Sequence, residues 1–201
     1  MSINSIFGGL SDNVFLYGSY DVLKYVLLLV VLDSISGYYS LKAVTEGKLF
    51  RLIRYGWRKW YQKIVKVNLV LTSMGALLLF LFSCGHFPET NLWAAFMVFL
   101  LNINLLATVQ TTIILSSNRA VAGYAVVALI QLASLFFSQG LHGYWKILLP
   151  GNWGCINRSD VIVQDGFPLY PVIVMEVMGI LVLYLFGWQV VKFLNRGQKV
   201  D

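Results

Sequence analysis

Three long stretches of the chain carry no Asp, Glu, Lys or Arg. They are residues 67–88, 90–118 and 120–145, of 22, 29 and 26 residues. A helix crossing a bilayer needs about 20 mostly apolar residues, so each stretch suffices for one crossing and none for two. Two further stretches are interrupted by a single acid each: VLKYVLLLVVLDSISGYYSL at 22–41, with Asp33, and PVIVMEVMGILVLYLFGWQVV at 171–191, with Glu176. The pattern predicts five spans, at about 22–41, 67–84, 92–115, 121–141 and 171–191. The runs are too continuous for barrel strands, which alternate, and in lipid a helix bonds every backbone group within its own segment. The expected fold is all-α and polytopic, a single transmembrane domain.

Composition agrees. Apolar residues make up 58% of the 201 residues and charged residues 12%, about half the usual share for a soluble domain. The net charge of +6 is unevenly distributed. Lys42, Lys48, Arg51, Arg54, Arg58, Lys59, Lys63 and Lys66 lie in the 42–66 connection, Arg119 in the next turn on that side, and Lys192, Arg196 and Lys199 in the tail. The other side holds Lys146 and Arg158, with Lys24 at its edge. The positive-inside rule places the first group in the cytoplasm, the N-terminus outside and the C-terminus inside. The basic excess therefore reads as topology rather than nucleic-acid binding. Residues 1–21 lack the basic start and apolar stretch of a cleavable signal, so the first span is expected to act as an uncleaved anchor.

The connection KAVTEGKLFRLIRYGWRKWYQKIVK, 42–66, holds the most information. Leu49, Leu52, Ile53, Trp57, Trp60 and Ile64 recur at steps of three and four, which gives one apolar helical face with cations mainly elsewhere. Thr45 is placed to cap the start of this helix, with Glu46 in its first turn. Gly56 is expected to break or bend it. Two readings follow: a juxtamembrane segment held to anionic lipid, or a docking element for a cytoplasmic partner.

Glu46-Gly47-Lys48-Leu49, Leu52-Ile53-Arg54-Tyr55-Gly56, Arg58-Lys59-Trp60 and Lys63-Ile64 resemble the first cytoplasmic loop of bacterial ABC-2-type permeases. The likeness is closest to the small permeases of peptide and lantibiotic export or immunity systems. The resemblance implies that Glu46, Gly47, Leu49, Leu52, Arg54, Gly56, Arg58 and Lys63 contact a cytoplasmic ABC ATPase subunit. It also implies that ATP and Mg are bound by that subunit, and that a second permease subunit, identical or not, completes the path. The order of later spans is similar, as are Pro150-Gly151-Asn152-Trp153 and Arg158-Ser159. In the family the outer loop, here 142–170, forms a re-entrant hairpin; an interface-lying loop would differ only in depth. The family usually has six spans with both ends inside, whereas this chain reads as five and starts in the following outer loop. The other reading is a non-transporting scaffold, accessory or immunity subunit.

The chain itself has no phosphate-binding G-x-x-x-x-G-K-[ST], no H-E-x-x-H, no C-x-x-C and no G-x-S-x-G, so no catalytic residues, bound cofactor or enzymatic activity are expected. His86 and His142 at the outer edge are too few ligands for a metal site. Cys84 and Cys155 are both predicted outside and stand either as a disulfide or as two thiols. Asn157-Arg158-Ser159 is a sequon without meaning in a bacterium.

Polar residues inside spans are the remaining candidates. Asp33 falls near mid-bilayer and Glu176 nearer the outer surface; each is either part of a polar conduit or a bond between helices. Asn102, Asn104, Thr108, Gln110, Thr111 and Thr112 crowd the third span, with Asn104, Thr108, Thr111 and Thr112 on one face. They read either as helix-to-helix bonds or as a translocation surface, and Gln131 and Gln139 carry the same alternatives.

Overall fold

The computed structural model describes residues 19–46, 48–83, 92–162 and 164–195. Five α-helices form the frame: α1 Ser19–Thr45, α2 Lys48–Ser83, α3 Leu92–Ser117, α4 Ala120–Phe137 and α5 Leu169–Asn195. Short 3-10 turns, Ser138–Gly140, Gly143–Leu148, Pro150–Asn152 and Ile156–Arg158, join α4 to α5. Among the described residues there is no strand, only an isolated bridge between Ser159 and Phe167.

Four helices, α1, α2, α3 and α5, are long and apolar enough to cross a membrane. The fifth expected span differs. It was placed at 121–141, but α4 stops at Phe137 after 18 residues, about 27 Å by helix rise. Ser138 is buried and takes part in holding the loop that follows, so the chain leaves the helix before the apolar run is exhausted. The second span also shifts. It was expected to start at 67, whereas α2 runs unbroken from residue 57.

The bundle is apolar on its outer face and carries polar side chains among the apolar ones inside. Leu27, Val31, Met74, Leu78, Leu129, Phe136, Leu181 and Phe186 point outward from α1, α2, α4 and α5. Ser36, Ser40, Asn68, Thr72, Gln110 and Thr111 are buried. Water would reverse this arrangement, while lipid favours it, because hydrocarbon offers polar groups no partner. α3 is the axis and packs against each of the other four helices. Its apolar window is 78% buried, against 11% for that of α5, which lies on the outside.

Two apolar cores sit at opposite ends. One joins Ala43, Trp60, Tyr61, Ile64, Val65, Leu115 and Val191. The other joins Leu29, Leu32, Phe80, Phe96 and Phe99 to Trp153, Ile156 and Phe167 of the loop. The first lies where Lys42, Arg58, Lys63, Arg119 and Lys192 gather, and is called the basic end here.

Candidate functional site at the basic end

α1 finishes with the Thr45 hydroxyl donating to the Leu41 carbonyl at 3.2 Å and the Glu46 amide to the Lys42 carbonyl at 3.0 Å. Thr45 therefore closes α1 and does not cap the following helix. Its hydroxyl is satisfied by its own preceding turn, which corrects the sequence expectation. Glu46 and Lys42 approach at 3.9 Å on the exposed surface, a contact worth little.

α2 is broken at Gly56, with φ 72° and ψ 163°. That region is essentially restricted to glycine. Residues 48–55 thus form a two-turn arm, and the long helix starts at 57. The expected apolar face divides accordingly. Trp60 and Ile64 are buried and Leu52 and Trp57 half-buried in the basic-end core. Ile53 is 86% exposed and does not share the face with Trp60 and Ile64 that its spacing suggests, because the break at Gly56 turns the arm out of the helical register. Gly47 lies outside the described residues, as does the side chain of Leu49. Arg54, Arg58, Lys59 and Lys63 are exposed. Arg54 and Lys63 flank the Tyr55 ring, at 5.3 and 5.5 Å from its centroid.

The arm is latched at its start. The Lys48 ammonium donates to Asn118 Oδ1 and, at 2.8 Å, to Asn195 Oδ1. Asn118 Nδ2 donates to Asn195 Oδ1 at 3.0 Å, and Asn195 Nδ2 to the carbonyls of Leu115, Ser116 and Val191 at 3.0, 3.3 and 2.8 Å. The start of α2, the α3–α4 turn and the end of α5 therefore meet in one knot. Partial burial holds the Lys48 ammonium below the usual lysine range. Sequence reasoning missed this knot. The only local signal was Asn118 between two helices, where its φ of 56° is one that asparagine tolerates.

Inside the bundle the α3 polar face makes bonds between helices. Asn68 Nδ2 donates to Ser40 Oγ and to Thr111 Oγ1, each at 2.7 Å, and Ser40 donates to Thr111 at 3.2 Å. Tyr61 and Thr112 hydroxyls meet at 2.8 Å, and Asn104 Nδ2 donates to Ser73 at 3.0 Å. The Thr108 hydroxyl donates to the Asn104 carbonyl at 2.8 Å. Gln110 is buried with neither amide atom bonded. Asp33 is buried beside Gln131, and Asp33 Oδ1 and Gln131 Nε2 fall short of a hydrogen bond. Glu176 lies buried beside Asn102, with both carboxyl oxygens unbonded. These two carboxyls are on different helices, α1 and α5. The side chain of Gln139 lies outside the described residues. Single bonds of this type contribute about 0.6 kcal/mol, so Tyr61→Phe is expected to cost under 1 kcal/mol in detergent unfolding. A loss of several kcal/mol would mark the pair as more than one hydrogen bond.

At the far end the loop folds into the bundle. Asn102 Nδ2 donates to the Pro150 carbonyl at 2.9 Å and the Gly151 amide to Ser134 Oγ at 3.0 Å. A Cβ on Gly151 would lie 2.9 Å from Gln131 Cα and the Ile130 carbonyl oxygen, so backbone meets backbone there. Gln131 is only about 16 Å along α4 from Ala120. Arg158, fully buried, donates to Ser138 Oγ at 2.9 Å, to the Ser134 carbonyl at 3.4 Å and to Asn152 Oδ1. Cys155 is buried in this loop; Cys84 and His86 lie outside the described residues. His142 is exposed, and among the described residues no three metal-ligating side chains cluster.

Comparison with known proteins returns no matching family model, no matching curated protein and no matching solved structure. Among the described residues the chain is an all-helical bundle with four helices long and apolar enough to span a membrane.

Proposed function

We propose that this chain is the transmembrane permease subunit of an ABC-2-type exporter in a bacterial cell membrane. In this reading all five helices cross, α4 with its 3-10 extension, and the basic end faces the cytoplasm. ATP and Mg belong to a separate ATPase subunit, and a second permease subunit, identical or not, completes the path for a peptide or other amphipathic substrate. The observation carrying the reading is the hinged arm 48–55. It exposes Ile53 beside Arg54 and is tied through Lys48 to the ends of α3 and α5. A partner gripping Ile53, Arg54 and Arg58 has a mechanical route to three other helices, because displacing the arm loads the knot before it loads the core. Glu46, Leu52 and Lys63 lie around the same end. The depth of the Pro150–Asn152 turn favours the re-entrant form of the outer loop over an interface-lying one, since a position about 16 Å up α4 falls well inside a hydrocarbon layer of about 30 Å.

The second reading, a non-transporting accessory or immunity subunit, is favoured by the central position of α3. A buried helix occupies the axis where a single-chain path would run, so any conduit lies at a seam between subunits. Co-purification with an ABC ATPase encoded beside the chain, where one is found, separates the two. The exporter reading expects a stable complex, weakened about tenfold or more by Ile53→Asp with Arg58→Glu. Failure of the parent chain to retain the ATPase overturns that reading in favour of the accessory one. Undiminished binding and ATP-coupled activity in the double variant overturn the docking role of the arm.

A further inference from the structure

A cleft of about 320 Å³ opens at the basic end between α1, the arm and α2. Arg51, Arg54 and Lys63 supply its charge, and Tyr39, Tyr55 and Trp60 its rings. No acid lines it, and among the described residues none of the three cations is in an ion pair. Three positive groups converging without a counter-charge repel one another, so an anion between them relieves that repulsion.

The second observation is independent of charge. Trp60 is 2% exposed, yet its indole Nε1 has no hydrogen-bond partner. A buried N–H left unpaired is costly, and indole donates only. A ligand oxygen in the cleft would satisfy it. The guanidinium forks of Arg51 and Arg54 suit a phosphate, which takes paired N–H donors, and Lys63 adds a mobile point charge.

We propose that this cleft binds the headgroup of one anionic phospholipid. The phosphodiester would accept from Arg51, Arg54, Lys63 and the Trp60 N–H, with the Tyr39 and Tyr55 rings beside the glycerol. A lipid is favoured over a soluble phosphate because the cleft lies at the ends of lipid-facing helices, where headgroups reside. Tyr38, next to Tyr39 and 68% exposed, lies on the outer face along which acyl chains would run. The site is separable from ATPase docking: of the docking residues proposed above only Arg54 lines it, and Ile53 and Arg58, whose substitution tests docking, do not. Binding of lipid there would set the resting angle of the arm about Gly56.

Native mass spectrometry of the purified full chain, without any ATPase, tests this. Dioleoylphosphatidylglycerol is expected to bind at one site about tenfold tighter than dioleoylphosphatidylcholine. Arg51→Gln and Lys63→Gln are expected to weaken it about tenfold, and Trp60→Phe, which keeps the ring and removes the N–H, by about threefold. Arg119→Gln removes a basic-end cation outside the cleft and is expected to leave binding unchanged. Equal binding of the two lipids, or equal weakening by Arg119→Gln, overturns the proposal in favour of diffuse charge attraction. Displacement of the lipid by glycerol 3-phosphate at equal concentration overturns the lipid source in favour of a soluble phosphate. Thermal unfolding of each variant without lipid shows whether it is folded. Should Trp60→Phe be unfolded, the two glutamine variants decide.

Discussion

Arg158→Leu is expected to lower the unfolding free energy by about 3 kcal/mol or more, because hydrogen bonds from a charged donor each contribute about 1.5–3 kcal/mol. Arg158 joins the end of α4, through Ser138 and Ser134, to the Pro150–Asn152 turn, through Asn152. Leucine fills much of the same space but donates nothing, so buried oxygens on both sides lose their partner. Arg158→Lys keeps the charge without the planar fork and is expected to fall between the two. Unfolding in nanodiscs measures the size of the effect. Limited proteolysis locates it, with cleavage appearing in 138–168 before the helices. A change within about 0.5 kcal/mol, the range of ordinary surface substitutions, would show that the guanidinium does not hold the loop.

Gly56→Ala is expected to act on the arm with little effect on the core. Nothing lies within 4 Å of the position of the added Cβ, so the cost is entirely one of backbone conformation. A non-glycine residue in this region costs about 1–3 kcal/mol, which the chain can relieve by continuing α2 as one straight helix. Straightening would carry the two turns of 48–55 about 12 Å along the axis and away from the α3–α4 turn. Lys48 would then lose Asn118 and Asn195. The bent population should fall roughly five- to hundredfold, since 1.4 kcal/mol is a factor of ten. Spin labels at the exposed positions Ile53 and Arg119 would report this as a longer, broader distance distribution. Lys48→Met added to Gly56→Ala should bring little further change, because the knot is already open. An unchanged distance would mean that the knot outweighs the backbone strain.

The sequence made the bundle legible because lipid imposes a simple rule. A helix that must cross hydrocarbon shows itself as a run without charge; α3 and α4 fall where such runs lie, and α5 where the run is interrupted by Glu176. Gly56 was legible as a break because glycine within an amphipathic pattern has few other uses. The start of α2 was harder to read. Residues 57–66 carry Arg58, Lys59, Lys63 and Lys66, which suits a surface helix, yet Trp60, Tyr61, Ile64 and Val65 on the opposite side enter the core. Cations facing out and aromatics facing in satisfy a surface helix and the mouth of a span equally well. The Lys48–Asn118–Asn195 knot had no periodicity to reveal it, since its members come from three distant segments and are joined only by the fold. The cleft was hidden for the same reason: Tyr39 belongs to α1, and nothing local ties it to Arg51 or Lys63. The end of α4 at Phe137 depends on a loop that binds Ser138, a tertiary demand that an apolar run to residue 145 conceals.

The inverted layering of this bundle changes what a substitution means. On the outer side of α5, Val182, Leu185, Phe186 and Val190 are exposed, and where lipid covers them one greasy residue serves about as well as another. Ser40, Asn68 and Thr111 each occupy a place defined by two neighbours, and exchanging a hydroxyl for a methyl of equal volume removes a bond that no lipid can replace. Mutational tolerance in this protein should therefore follow the layers: the oily positions of the outer face are the most permissive, and the small polar positions inside are, like the two apolar cores, the least.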